Sequence, residues 1–314
     1  MNPLEKIFAG HGREQQETAS PASIRLEFFR HSKQGPQTAG MQEYNRRLTE
    51  GPDGGRVMAT EAGKDRNPDP EVGLAYGSPR DRAQETAYRQ LLTNQEEITA
   101  SSTLEDIEAL IKEKLPVGSK KIVDERLNFN WEGSQKFNEV GMDHFLKVKD
   151  TLRFLVEESD DLAVEAKDKE STAYSRAAAN TAEIVKKYLQ ILPNWEKVVA
   201  TDKERGEDEK KDYAKHGNEM QRFLGSHGAT VENFLLKLID KLEGRAAVLE
   251  FIKNLPDQNN FQFNDGYSIK LSSQNGQPEI LVTYHDKSWS VKPELLDEII
   301  ADRTILDQKI KEAI

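Results

Sequence analysis

Ile24-Arg25-Leu26-Glu27-Phe28-Phe29 alternates apolar and charged residues, then closes on two phenylalanines. That pattern specifies a β-strand with one face buried at its start and both faces buried at its end. The strand runs directly into Arg30-His31 and the polar segment Ser32-Lys33-Gln34-Gly35-Pro36. A histidine is thereby placed at the rim of a sheet with a permanent cation beside it. Neutral imidazole is a good nucleophile near pH 7, and a neighbouring guanidinium can hold a phosphoryl group against it.

Strand and helix signals alternate along the rest of the chain. Residues 35–70 are rich in Gly, Pro, Asp and Asn and read as a long excursion, with a helical piece expected at about 41–48. Leu74-Ala75-Tyr76-Gly77 reads as a second strand. Ser78-Pro79 opens a helix over 80–92, with Ser78 as N-cap and Pro79 at the first position. Thr103 and Asp106 start a helix that runs to Lys114, and Lys121-Ile122-Val123 reads as a short strand. Helical periodicity follows over 143–156 and 175–192, and the mixed-charge run 201–216 reads as a solvated insertion. Residues 221–225 lead into Ser226-His227-Gly228 and then an amphipathic helix over 230–242. Residues 269–271 and 280–284 form an expected hairpin around Asn275-Gly276, before a C-terminal helix from Pro293. The alternation implies a three-layer α/β/α sandwich with a mostly parallel central sheet.

Composition narrows the function. The 314 residues can bury a substantial core, and no apolar run approaches the roughly 20 residues of a membrane span. Residues 1–20 are polar and mixed in charge, without the apolar core of a signal peptide, and are expected to form a flexible tail. The absence of cysteine excludes disulfides, thiolate chemistry and Cys-based zinc sites, and fits the expected cytoplasmic location. A net charge of −11 argues against non-specific nucleic-acid binding, though a few arginines in one pocket can still dominate the local field. No membrane partner and no metal or other cofactor is expected, and no phosphate-binding loop exists, since Gly63-Lys64 is followed by Asp65.

Three constellations belong together. Arg30-His31 ends the first strand. Ser78-Pro79-Arg80-Asp81-Arg82-Ala83-Gln84-Glu85-Thr86-Ala87 puts arginines into the first turn of a helix, where backbone N–H groups favour an anion. Gly225-Ser226-His227-Gly228 ends another strand. In a parallel sheet the C-terminal strand ends line one crevice, so two histidines and two or three cations meet at one rim.

With these motifs, together with Asp124-Glu125-Arg126-Leu127-Asn128-Phe129-Asn130-Trp131-Glu132-Gly133, the chain resembles the histidine phosphatase superfamily, the phosphoglycerate-mutase-like fold. The family's Arg-His-Gly is Arg30-His31-Ser32 here, and its Ser-Pro-Leu-x-Arg-Ala-x-Gln-Thr-Ala is the run from Ser78 to Ala87, with Arg80 for Leu and Glu85 for Gln. The resemblance implies a single domain over 21–314, with lid excursions at about 35–70 and 133–170. It implies that His31 attacks phosphorus, that Arg30, Arg82 and His227 hold the non-bridging oxygens, and that Glu125 protonates the leaving oxygen. Gln34 lies near the family's Ser or Thr phosphate ligand and is the candidate for that place. Asp124 points away from Glu125 on an extended segment. The family's Phe-Gly step reads Phe129-Asn130, with the Phe shifted by one position.

The implied activity is phosphomonoester hydrolysis on a phosphorylated small molecule or a phosphoprotein. A phosphoglycerate-mutase-type phosphotransferase and a weakly active phospho-ligand-binding module are the alternatives. By residue type alone, Arg80 reads as a surface arginine, Trp131 as packing and His285-Asp286 as structural. His11, His144 and His216 read as surface histidines.

Overall fold

The computed structural model describes residues 22–37, 41–70, 73–114, 123–204, 217–256, 260–274 and 276–314. The expected tail at 1–20, Lys121 and Ile122, residues 205–216 of the charged run, and Asn275 lie outside the described residues, as do His11 and His216.

β1 (Ser23–Arg30) forms where the alternation places it. Ile24, Leu26 and Phe28 enter one apolar cluster, while Phe29, on the opposite face, enters a second. On that second face the charged residues are neutralised rather than exposed. Glu27 is buried and pairs with Arg25 at 2.8 Å and Arg66 at 2.6 Å.

β3 (Glu219–Ser226) runs parallel to β1 with Arg30 opposite Ser226, and β2 (Leu74–Gly77) runs parallel to β3 with Gly77 opposite Gly225. On the other side of β1 lie β4 (Gly266–Gln274), β5 (Gln277–Tyr284) and β6 (Lys287–Val291), all antiparallel to their neighbours. The order is β2-β3-β1-β4-β5-β6. The sheet is therefore mixed, not mostly parallel as the strand–helix alternation implies. The reason is local: β4, β5 and β6 are joined by turns of only a few residues, which allow antiparallel pairing, whereas a parallel neighbour needs a crossover. Gly276 in the first turn (φ +76°) and His285 in the second (φ +50°) adopt the left-handed backbone such turns use.

Helices cover both faces. α1 (Gly55–Asp65), α2 (Asp81–Leu91) and α3 (Leu104–Lys114) lie on the Phe29 side. α4 (Gln135–Asp143), α5 (Thr151–Glu157) and α6 (Ser159–Glu165) come next in the chain. They are followed by α7 (Tyr174–Glu204), α8 (Thr230–Glu243), α9 (Arg245–Lys253) and α10 (Pro293–Ala313). The large cluster on the Phe28 side draws on α7, α8 and α10. The excursion after β1 contains more regular structure than its composition suggests, namely α1 and a 3₁₀ turn, Glu43–Asn45, within the expected helical piece. A π-helical turn, His144–Val148, interrupts the helix expected over 143–156, and His144 is drawn inward to stack on Phe154 and pair with Asp150 at 2.7 Å.

Candidate active site

Register builds the site. Because Arg30 lies opposite Ser226, the next residues of each strand, His31 and His227, emerge side by side. Their rings meet edge to face with centroids 5.2 Å apart, and both are buried. α2 is pressed onto the same strand ends. A Cβ on Gly225 would lie 2.2 Å from the carbonyl oxygen of Ala83, and one on Gly77 2.4 Å from the Gln84 side chain. Only glycine permits that approach, and it carries Arg82 over the histidines.

The tautomer of His31 follows from its partners. Nδ1 lies 2.7 Å from the Ser32 carbonyl oxygen, which can only accept, so Nδ1 carries the proton. Nε2 keeps its lone pair and accepts from Arg82 Nε at 3.2 Å. Burial, then the Arg82 charge, pushes the His31 pKa well below its ordinary value, with Arg30 and Arg80 adding to the shift and the Ser32 carbonyl opposing it. Burial, followed by the influence of His31, Arg82, Arg80 and Arg30, lowers His227 likewise. His227 Nε2 lies 2.6 Å from Ser78 Oγ. Both imidazoles are thus neutral near pH 7 in a field of guanidinium groups, a field that attracts an anion.

Arg30 stacks on Phe263 at 4.7 Å and donates to the Phe261 carbonyl. Glu232, fully buried on the first turn of α8, exerts its charge on Arg30. Burial raises the Glu232 carboxyl to about 7, against the lowering effect of that arginine. Arg80 is half-buried rather than a free surface residue. It lies over Tyr44 and Phe129 and bonds Asn128 Oδ1 at 3.3 Å.

Of the residues nominated by sequence, His31, His227, Arg30 and Arg82 come together at one rim. Gln34 sits in an isolated bridge with Leu48, and its Oε1 is buried without a hydrogen-bond partner. Glu125 lies on a 3₁₀ turn, Glu125–Leu127, anchored to the rim because Ser226 Oγ donates to the Leu127 carbonyl at 2.6 Å. Its own side chain is exposed and forms no hydrogen bond or ion pair among the described residues. Trp131 packs in the core against Phe129, Phe137 and Phe154. His285 forms the β5–β6 turn.

Other residues at the rim are not nominated for the site by sequence, although Ser78 and Thr86 fall within the Ser78–Ala87 motif. Ser78 is not the N-cap of α2, which is Arg80; its hydroxyl accepts from the Arg80 N–H at 3.2 Å and also partners His227. Thr86 Oγ1 accepts from the Ser32 N–H at 3.0 Å, and Asn264 Nδ2 donates to Ser32 Oγ at 3.0 Å, so the residue after His31 is held from both sides. Glu43 pairs with Arg82 at 2.8 Å and with Arg80 at 3.2 Å. Among the described residues no group of three His, Asp or Glu side chains is arranged to hold a metal, and no helix is long and apolar enough to cross a membrane.

No family model and no curated protein matches the chain. Among solved structures it is similar to phosphoglycerate mutase from Bacillus anthracis str. Sterne. The identity is 20%, the match covers 89% of this chain and 97% of that one, and the TM-score is 0.42. It is similar to a mycobacterial glucosyl-3-phosphoglycerate phosphatase at 18% identity, covering 80% and 91%, TM-score 0.35. A third likeness is to mycobacterial hydrolase 2, at 17% identity, covering 90% and 98%, TM-score 0.39. At these levels of similarity the case for a function rests on the side chains at the rim.

Proposed function

We propose that the chain is a phosphomonoester hydrolase that works through a phosphohistidine on His31. The observation that carries this reading is the His31 ring itself. Its Nδ1 proton is committed to a backbone carbonyl, and its Nε2 lone pair faces the Arg82 guanidinium beside a second neutral imidazole. A phosphoryl group drawn to Arg82 and Arg30 lies within reach of that lone pair.

In the first half-reaction the Nε2 pair attacks phosphorus and the P–O ester bond breaks, its electron pair leaving on the alcohol oxygen. Arg30, Arg82 and His227 stabilise the charge spread over the three non-bridging oxygens. In the second, water attacks phosphorus, the P–N bond breaks, and its electron pair returns to Nε2. A carboxyl group must deliver a proton to the leaving oxygen and later remove one from the water. The sequence motif nominates Glu125 for that work.

His31→Ala should abolish hydrolysis of p-nitrophenyl phosphate, and the native chain quenched during turnover should carry acid-labile, alkali-stable phosphate on His31. Activity retained by His31→Ala would overturn the reading.

A further inference from the structure

Glu43 holds the guanidinium that a phosphoryl group needs. Its Oε1 forms an ion pair with Arg82 Nη2 at 2.8 Å and accepts from Arg80 Nη1 at 3.2 Å. Its Oε2 accepts from Arg46 Nη1 at 3.0 Å, and its backbone carbonyl accepts from Arg82 Nη1 at 3.1 Å. The third nitrogen of Arg82, Nε, donates to His31 Nε2. One guanidinium therefore separates a nucleophile from a carboxylate. Hydrolysis needs those two groups on opposite sides of the same phosphorus.

Glu125, the carboxylate nominated by sequence, shows no comparable tie. It is exposed and has no bond to either histidine or to any site arginine. We propose that Glu43 is the acid–base residue of the phosphohistidine reaction, and the proposal rests on that reading. When a phosphoryl group takes the Arg82 donors, the carboxyl group of Glu43 is displaced onto the side of the ester oxygen. It gives its proton to that oxygen as the P–O bond breaks, producing the free alcohol and a carboxylate. The carboxylate then takes a proton from the water that attacks phosphorus, and the P–N bond breaks with its electron pair returning to Nε2. The products are the alcohol and inorganic phosphate, with Glu43 protonated again.

The electrostatics supply the timing. In the free site, burial raises the Glu43 carboxyl, but Arg46 on its own loop, Arg82 on α2 and Arg80 at the cap of α2 together hold it below the usual carboxylate range. Asn128 and the Phe129 carbonyl, from the segment after the Glu125 turn, grip Arg80 from the far side. A bound phosphate neutralises these cations and puts a like charge beside the carboxylate, which favours its protonated form. The group is ionised when idle and acquires a proton on binding. Glu43 sits on a three-residue 3₁₀ turn, outside the long helices and strands.

The test compares Glu43→Gln with Glu125→Gln. Glu43→Gln keeps all the arginines and the shape of the side chain. On 2-glycerophosphate, whose alkoxide must be protonated, its kcat should fall by about 10²–10⁴-fold, the usual worth of a general acid. On p-nitrophenyl phosphate, whose leaving group needs no proton, the release of p-nitrophenol should show a burst followed by slow turnover, with phosphohistidine accumulating. Vanadate binding, followed by calorimetry in buffers of differing ionisation enthalpy near pH 7, should take up a proton in the native chain and in Glu125→Gln but not in Glu43→Gln. Near-native turnover of 2-glycerophosphate by Glu43→Gln, or unchanged proton uptake, would overturn the assignment. Failure of the underlying reading has a different signature: no phosphate on His31 in any variant.

Discussion

If the site holds both histidines neutral, its stability must depend on pH in a calculable way. Burial is the leading cause that depresses His31 and His227, with the arginines behind it. Their folded pKa values lie below the unfolded value of about 6.5, so on acidification the unfolded chain takes up protons first. The stabilising contribution is intact above about pH 6.5 and is lost as pH falls from there towards the folded values. One pH unit below 6.5, a histidine that stays neutral in the folded chain has withdrawn on the order of 1 kcal/mol, and the pair on the order of 3 kcal/mol. The perturbation is a double variant, His31→Asn with His227→Gln. Asn presents an N–H where His31 Nδ1 faces the Ser32 carbonyl, and Gln reaches towards Ser78 where His227 Nε2 does. The chain has six histidines, so the other four are common to both proteins and cancel in the comparison. Urea unfolding at pH 7.5, 6.5 and 5.5 gives the two stability curves. The native chain should lose on the order of 3 kcal/mol more than the double variant between the first and last of these, whatever the absolute stability of the variant. Equal losses in the two proteins would refute the claim that the imidazoles are held neutral, and with it the availability of the Nε2 lone pair at low pH.

Arg82→Ala should weaken vanadate binding by about 10- to 100-fold, the worth of a charge-assisted hydrogen bond or two, whereas Arg80→Ala should cost about 1 kcal/mol or less because that pair with Glu43 is partly solvated; titration of both variants checks the order, and the reverse ranking would reassign the phosphate ligand. Glu85 is fully buried on α2 and accepts from Arg56 Nε at 2.8 Å, Arg89 Nε at 3.2 Å and the Leu48 N–H at 3.3 Å, so Glu85→Gln leaves two buried guanidinium groups undercompensated. It should lose about 3 kcal/mol in urea unfolding, and an unchanged midpoint would show that the cluster is not held by its charge.

The parts of this fold that sequence disclosed are those whose burial is enforced on both faces. β1 is legible because Ile24, Leu26 and Phe28 fill one cluster while Phe29 fills the other. The direction of the sheet was not legible, because a strand pattern states what is buried and not which neighbour it pairs with. The Asn275-Gly276 turn signal marks β4 and β5 as an antiparallel hairpin, but no such signal marks β6 or the pairing of β4 with β1. Ser78 shows the same limit at one residue. Ser-Pro before a helix is a good cap pattern, yet α2 begins later, and the hydroxyl is recruited by His227 from a strand far away in sequence.

Arg30, His31, His227 and Arg82, which the fold brings to one rim, stand at the ends of β1 and β3 and on the first turn of α2, where register sets their positions. A one-residue slip of β1 against β3 would turn His31 to the opposite face of the sheet from His227, since side chains alternate with a period of two. The Arg30–Ser226 pairing therefore makes two common dipeptides into one site. The acid–base carboxylate has no such constraint. Glu43 and Glu125 both lie on 3₁₀ turns in connecting segments, where neither periodicity nor register fixes a side chain. Trp131 and Gly133 fix the motif around Glu125 by packing, with Trp131 in an aromatic core and Gly133 pressed against Asp168 and Ser171. Such packing accounts for the Trp-Glu-Gly pattern without any demand on the exposed carboxylate six residues before the tryptophan. Charge, by contrast, draws Glu43 to the rim: three arginines converge on it, and one of them, Arg82, also touches His31. A motif can thus mark the right segment for packing reasons, while an unmarked loop residue reaches the chemistry because the electrostatic field of the site attracts it.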